Sequence, residues 1–545
     1  MNRSGQSFRF PFSLMELLVI VLLAIVPLFV QFPYRVNIFL SWEGAYRISE
    51  GQLPFRDFGT PLGGMYWVIP GLFFKLFGTQ LITLVKAQVF INIVSGLAFR
   101  SILKSFGLAD GLRFVSVLLY AVSFSFFNFW PWYNHTVIVY EFAGLAFLCN
   151  ALMAGSGSRF FYLKLTAAAF FTVCSFLTKQ DAGGMAVAIS LALTGWSLIS
   201  GREWKPVLFW LLSFSVILFL FIAPFLGSGF GYWFNHGQAP HSARISPGEI
   251  IMDLLSGSQW IKFYALLILL LLFVRFASFK ALWNDRKEML FLLLTTGILT
   301  EAAVFQVTSY TPPDNNIFFH AFAIAYILYQ FTALAPSLLN RKLVPFVLSA
   351  AVLFWWSGVF SKYILRFIPG QESAVATLSP TGENLVNRKT YMLTPPDSSE
   401  SEMRQWVSCG LKAFDKISMP PSTAEGIRRL MASDLVKSGR DLRVLNMSEL
   451  TPLAVEMPYR TETGAHYPLW NHLGVGMFNK QAELFEGRIA KKDYDLVLFE
   501  YIPSLNNFFP FRVRDSLKIH YRLADQFAAP RRGDTKGTIE VYVRP

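Results

Sequence analysis

The sequence predicts an all-α polytopic membrane protein of about eleven membrane-spanning helices, followed by a soluble C-terminal α/β domain. Three observations carry that expectation. The 545-residue chain is 53% hydrophobic and 16% aromatic, with a mean hydropathy of +0.42, too apolar for a soluble enzyme of this length. Apolar runs of roughly 17–23 residues recur, the length a helix needs to cross about 30 Å of hydrocarbon. Basic residues gather in every second loop between those runs, as the positive-inside rule requires.

In chain order the apolar runs are Leu14–Phe32, Leu81–Leu103, Phe114–Phe129, Val137–Met153, Phe160–Leu177, Ala182–Leu198, Val207–Leu226, Trp260–Phe276, Met289–Val307, Ile317–Leu334 and Leu343–Tyr363. They place residues 1–365 in the membrane domain, with residues 33–80 as its first outer loop. Within that loop Met65–Phe77 is apolar but short and holds Pro70, so it is expected to lie on or dip into the interface. No internal repeat is visible. The first run is long and no small-x-small site follows it, which argues against a cleaved signal peptide.

Charge sets the orientation. With Arg3 and Arg9 cytoplasmic, the alternate loops carry Arg100, Lys104 and Arg113, then Arg159 and Lys164, then Arg202 and Lys205, then Arg275, Lys280, Arg286 and Lys287, then Arg341 and Lys342. The intervening loops are poorer in Lys and Arg. The formal net charge of +13 is therefore mainly an orientation signal and a contact for anionic lipids. Without a soluble basic domain, nucleic-acid binding is not expected.

An odd number of spans puts residues 366–545 outside. This tail is mixed in polarity and long enough for its own core. Its pattern predicts helices over Glu402–Ile417, Ala424–Lys437 and Val475–Ala490 and strands over Leu442–Asn446, Tyr494–Glu500 and Thr538–Val543. The Ser-, Thr- and Pro-rich stretch 370–400 reads as a linker or as the first loops of the domain. Of the three cysteines, Cys149 and Cys174 fall inside spans and only Cys409 is outside, so the outer domain has no internal disulfide.

The first outer loop is the most informative stretch. It runs Leu40-Ser-Trp-Glu-Gly-Ala-Tyr-Arg-Ile-Ser-Glu-Gly-Gln-Leu-Pro-Phe-Arg-Asp-Phe-Gly59 and sets Glu43 and Asp57, with Arg47 and Arg56, just outside the membrane. Acidic groups there point to chemistry on a lipid-borne substrate. Trp42-Glu43-Gly44-Ala45-Tyr46, then Gly51-Gln-Leu-Pro-Phe-Arg-Asp-Phe58, then Pro61-Leu62, then Leu76-Phe77-Gly78 resemble the GT-C class of integral-membrane glycosyltransferases, in particular bacterial relatives of protein mannosyltransferases and lipid A aminoarabinose transferases. Leu177-Thr-Lys-Gln-Asp-Ala-Gly183 resembles a Lys-Gln motif of the same relatives. The resemblance covers roughly residues 14–365 and is specific to the class, not to the sugar. Trp42 stands where the family usually has the first Asp of an Asp-Glu pair.

What the resemblance implies is sugar transfer, with inversion, from a polyprenyl-phosphate donor to a glycan, lipid or protein acceptor at the outer face of a bacterial inner membrane. The acceptor loses a proton as it attacks, so a carboxylate serves as general base. Glu43 is the first candidate and Asp57 the second. The departing phosphate gathers charge that cations must meet. Lys179 and Arg244 are the leading candidates, with Arg56 and Lys86 behind them. Trp42, Tyr46, Gln180, Asp181, Glu141, Glu301, His236 and His320 complete the expected substrate pocket. Glu141 and Glu301 lie within spans, where an ionised group is costly.

Plainer roles exist for most of these residues. Glu43 and Arg47 have the spacing of a helical surface pair, Arg56 and Asp57 of a turn, and Lys179 of a lysine snorkelling to headgroups. Arg244 has a headgroup contact as its plainer role, and Glu141 and Glu301 a pairing with Lys86 or His320. His236 and His241 are too loosely spaced to define a metal site, so no cofactor is expected, although a divalent metal is compatible with the class. No Gly-rich phosphate loop is present, which disfavours a nucleotide-sugar donor. The rival functions are a polysaccharide ligase or polymerase with a diphosphate-linked donor, a sugar or lipid transporter (flippase), and a catalytically inactive binding or scaffold protein, the last suggested by Trp42. A transporter would more often show two similar halves with broken helices in matching positions.

Overall fold

The computed structural model describes residues 11–34, 38–126, 128–201, 203–237, 247–256, 259–309, 317–339, 341–358, 405–438, 441–457, 459–464, 467–469, 471, 477–503, 509–531 and 536–545. Expectations that fall elsewhere, among them those for Arg244, His241 and the linker 370–400, lie outside the described residues.

Helices occupy each of the eleven apolar runs. They are α1 (Phe12–Ile25), α4 (Leu81–Ser105), α5 (Asp110–Ser125), α6 (Tyr133–Ala154), α7 (Phe161–Phe176), α8 (Gln180–Gly201), α9 (Trp204–Ile222), α11 (Gln259–Arg275), α13 (Arg286–Ser309), α14 (His320–Leu334) and α16 (Val344–Trp355). Among the described residues, six helical stretches are long and apolar enough to cross a membrane by length and composition alone. Others, such as Phe161–Phe176 and Val344–Trp355, are apolar but shorter. Leu208, Leu212, Val216, Phe219 and Leu220 along α9 are exposed, the apolar outer face expected of a helix that meets lipid rather than water.

Contacts show the up-and-down arrangement. Glu16 of α1 is buried and takes hydrogen bonds from Arg100 near the end of α4 and Arg113 near the start of α5, at 2.6 and 3.0 Å. At the same end, Arg286 at the start of α13 reaches the Leu152 carbonyl near the end of α6 and Glu203 before α9. Glu288 joins this end too, paired with Arg275 at 2.8 Å and receiving the Tyr326 hydroxyl. The basic loops therefore carry interhelical ion pairs in addition to surplus charge. Stacked rings fill the core between helices, with Phe99 on Tyr120 and Phe106 on Phe291, each at 4.5 Å.

The opposite end carries residues 33–80, the loop that the charge pattern assigns to the outer side. It holds β1 (Phe32–Pro33), α2 (Ile38–Ser49), a 3-10 turn over Gly64–Trp67 and α3 (Val68–Phe77). Along α3, Val68, Leu72 and Leu76 are exposed while Pro70, Gly71 and Phe74 are buried. That one-sided apolar face fits a helix lying at the interface. A Cβ on Gly63 would sit 1.6 Å from the Leu177 carbonyl oxygen, so only glycine lets the loop rest on the end of α7.

The C-terminal region forms a four-stranded mixed sheet in the order β3 (Val444–Met447), β4 (Leu496–Tyr501), β6 (Thr538–Val543), β5 (Arg522–Ala528). Strands β3 and β4 run parallel and the other pairs antiparallel. Alternation divides its two faces. Leu445, Met447, Val497 and Phe499 pack against α19 (Phe478–Ala490) and α20 (Phe511–His520). Val444, Leu496 and Leu498 face the other way and share one core with α17 (Pro421–Ala432) and the first outer loop.

The sheet region is fastened to residues 33–80 by a continuous seam. Strand β1 pairs in parallel with β2 (Ile417–Ser418), the Tyr34 hydroxyl donates to the Glu449 carbonyl, and Gly59 exchanges backbone hydrogen bonds with Tyr467 and Leu469. Buried Arg531 bridges Glu449 and Glu500 beside that seam. The expected helix over Glu402–Ile417 is absent from its described part. Gly410 and Lys416 have φ of 82° and 60°, and pairing with β1 overrides local helical propensity. Helix α20 and strand β5 were not anticipated: the helix buries only Val513 and Leu517, too few to show a period, and the burial pattern of the strand is irregular.

Candidate functional site

The site grows from α2. A Cβ on Gly44 would lie 2.2 Å from the Trp67 indole, so the helix packs directly on that ring, whose Nε1 donates to the Leu40 carbonyl. Trp42 is fully buried, stacks on Tyr46 at 4.8 Å and donates to the Thr79 carbonyl. The helix is thus fixed on its inner side, and the next turn presents Glu43 and Arg47 to the C-terminal region.

The guanidinium of Arg47 is 1% exposed. It donates to Glu43 Oε1 through Nε and Nη2, and through Nη1 to Gln52 and the Glu462 carbonyl. The rings of Phe58 and Tyr467 lie 5.5 and 5.0 Å from its centre. A solvated helix-surface pair is therefore ruled out. Both Arg47 bonds to Glu43 fall on Oε1, and Oε2 accepts none among the described residues. Burial pushes the Glu43 carboxyl above its ordinary range, against the pull of Arg47. The side chain keeps 12% exposure, towards a recess lined also by Trp42, Asn446, Thr461 and Tyr467. A partly desolvated carboxylate with one open oxygen is equipped to take a proton.

That recess adjoins a cavity of about 600 Å³ between the first outer loop and the edge of the sheet, and Val444, Tyr459, Thr461 and Glu462 line both. Glu462 accepts from Arg488 and the Tyr494 hydroxyl, and the Thr461 hydroxyl accepts from Gln52. Sequence reasoning missed all of these C-terminal partners. Tyr459, Thr461 and Glu462 lie in irregular backbone, and nothing local marks residues some four hundred positions away as neighbours of Glu43.

Asp57 is placed differently. Its carboxylate accepts from the Leu53 N–H and from Arg56, which is 53% exposed. Hydrogen bonds from Arg56 hold its carboxyl below the usual range. The pair closes a turn.

A second group sits within the bundle. Lys179 contacts Asp181 at 2.7 Å and lies 4.8 Å from the Phe305 ring centre. Glu301 lies close enough to feel both charges, and its carboxyl faces that of Glu141. No hydrogen-bond donor among the described residues reaches any of the four Glu141 and Glu301 oxygens. The contact becomes a hydrogen bond only while one carboxyl keeps a proton. Four expected site residues from α6, the α7–α8 junction and α13 are thus brought together.

The remaining candidates are dispersed. Gln180 donates to the Trp233 carbonyl. Lys86 lies 5.5 Å over the Phe77 ring. His320 is buried against Trp260, Tyr264 and Trp356. His236 is in a 3-10 segment over Phe230–Gly237, its side chain outside the described set. No group of three or more His, Cys, Asp or Glu placed to hold a metal occurs among the described residues.

No family model matches the sequence, and no curated protein sequence matches it. Among solved structures, the chain is similar to ArnT from Cupriavidus metallidurans bound to undecaprenyl phosphate, with 12% identity, a TM-score of 0.44 and coverage of 97% of this chain and 98% of that one. The apo form of the same protein matches with 12% identity, a TM-score of 0.43 and coverage of 97% of each chain. Likenesses this loose transfer no activity to the present chain.

Proposed function

We propose that this protein is an integral-membrane glycosyltransferase of GT-C type that moves a sugar from a polyprenyl-phosphate donor to an acceptor at the outer face, with inversion. The observation that carries the reading is Glu43, a desolvated carboxylate with one open oxygen at the inner end of a cavity just beyond the apolar bundle. The motif resemblance of residues 42–78 supports it. In the reaction, the acceptor oxygen attacks the anomeric carbon while Glu43 takes its proton. The bond from that carbon to the phosphate oxygen breaks, and its electron pair leaves with the polyprenyl phosphate. A carboxylate is needed on the acceptor side and cations on the leaving side.

Lys179, Arg244, Arg56 and Lys86 remain the proposed phosphate ligands. Lys179 faces Asp181 in the structure, so it would exchange that carboxylate for the phosphate on donor binding. Asp57 stands as the second candidate base. The topology belonging to this reading has eleven crossings, a cytoplasmic N-terminus and an extracytoplasmic C-terminal domain in a bacterial inner membrane.

The deciding experiment incubates the purified protein in lipid nanodiscs with undecaprenyl-phosphate-linked hexoses and pentoses and follows release of the lipid phosphate. Release that is lost in Glu43→Gln is expected. No release from any donor in the panel rejects the proposal, and loss in Asp57→Asn with Glu43→Gln active moves the base to Asp57.

A further inference from the structure

We propose that the cavity above Glu43 seats the acceptor, and that this acceptor is a neutral, hydroxyl-rich saccharide. The inference rests on the glycosyl-transfer reading and supplies the substrate class that the reading leaves open. Its volume of about 600 Å³ lies within the roughly 300–1,000 Å³ typical of small-molecule sites. One wall is α2 and the turn after it, with Tyr46, Glu50 and Gln52. The other is the edge of the sheet and the segment Tyr459–Thr463. The recess around Glu43, about 20 Å³, has room for one small group such as a hydroxyl and shares four lining residues with the cavity, so a chain seated in the cavity ends beside Glu43.

The lining selects the chemistry. Acceptors and donors share the wall: the carboxylates of Glu50 and Asp441, the guanidiniums of Arg443 and Arg460, and the hydroxyls of Thr461 and Tyr459. A hydroxyl both donates and accepts, so a polyol can satisfy such a wall at every step, whereas a ligand of one polarity satisfies half of it. Glu462 is paired with Arg488, and the remaining two carboxylates balance the two guanidiniums, which gives a phosphorylated or uronic chain no net attraction. Arg460 also lies 3.9 Å from Asp441. The aliphatic lining residues, Leu442 and Val444, are buried in the core, so an acyl chain finds no apolar surface. Tyr46, stacked on Trp42, offers the ring surface against which a sugar's C–H face packs.

The test uses the full chain in nanodiscs on an array of neutral and uronic oligosaccharides, Ser/Thr peptides and acyl lipids, with affinities by saturation-transfer NMR for tetrasaccharides of glucose, mannose, galactose and arabinose. At least one neutral saccharide is expected to bind. Glu50→Ala and Arg443→Ala alter exposed side chains and so preserve the fold, and each should weaken that binding roughly tenfold, the value of a hydrogen bond to a charged group. Absence of any neutral ligand, binding confined to uronic saccharides, peptides or lipids, or affinity indifferent to both substitutions would overturn the inference. Release of lipid phosphate with water as acceptor reports on the transfer reading separately. Release without saccharide binding defeats only this inference, and saccharide binding without release defeats only the transfer reading.

Discussion

Arg47 donates two hydrogen bonds, at 2.9 and 2.8 Å, to a single oxygen of Glu43, leaving the second oxygen open towards the recess. The arrangement holds the carboxylate in place without consuming its basicity, and burial raises its proton affinity against that ion pair.

A pH profile follows. Glu43 must be ionised to act, so activity should rise with pH through its titration. Because its carboxyl is held above the ordinary range, the acid limb of kcat/KM should inflect above about 4.3, the unperturbed Glu value. Glu43→Gln should cost roughly 10²–10⁴-fold in rate and remove that limb. Unchanged turnover in the Gln variant would withdraw the role.

Arg47 is chiefly a positioning and stabilising residue. Arg47→Ala leaves Glu43 desolvated and unpaired, which should destabilise the protein by about 3–5 kcal/mol. Pairing it with Glu43→Ala should restore part of the loss. Thermal unfolding of the two single variants and the double variant in detergent measures the coupling, and strict additivity would contradict it.

Lys179 and Asp181 form a buried pair at 2.7 Å. Lys179→Ala alone strands the carboxylate, so its effect on transfer mixes folding with function. The Lys179→Met/Asp181→Asn double variant removes both charges and should unfold close to wild type. If Lys179 meets the leaving phosphate, this well-folded variant should still transfer slowly and bind donor weakly. Near-normal transfer would shift the role to Arg56, Lys86 or Arg244.

The Glu141–Glu301 contact lacks a donor. Replacing either acid by Gln supplies an N–H to the facing carboxyl, so Glu141→Gln or Glu301→Gln should stabilise the bundle by about 1 kcal/mol. A lower unfolding temperature in both variants would contradict this account of the contact.

The proposed topology is open to labelling. All three native cysteines are buried, so background reaction should be low. Leu53→Cys and Lys536→Cys, both at exposed positions, should react with an impermeant thiol reagent in cells whose outer membrane has been opened, while exposed Lys104→Cys should not. Reaction at only one of the first two positions would break the eleven-crossing arrangement.

The order of the bundle helices was legible in the sequence because lipid imposes a simple requirement. A segment surrounded by hydrocarbon must be apolar over about 20 residues and bond its own backbone. The strands Val444–Met447, Leu496–Tyr501 and Thr538–Val543 were legible to within a few residues through β-branched and aromatic enrichment. Glu43 was legible as a candidate base from the motif around it. What the sequence could not express is which surfaces meet. Phe32 pairing with Ile417, Arg47 bonding the Glu462 carbonyl, and Glu141 facing Glu301 each join segments with no local pattern in common. Tertiary packing alone made the C-terminal region a lid on the first outer loop, turned the spacing of Glu43 and Arg47 from a surface pair into a buried one, and left Asp57 closing an exposed turn. The physical reason is burial. Periodicity records which residues leave water, and only the packed chain decides what they find when they do.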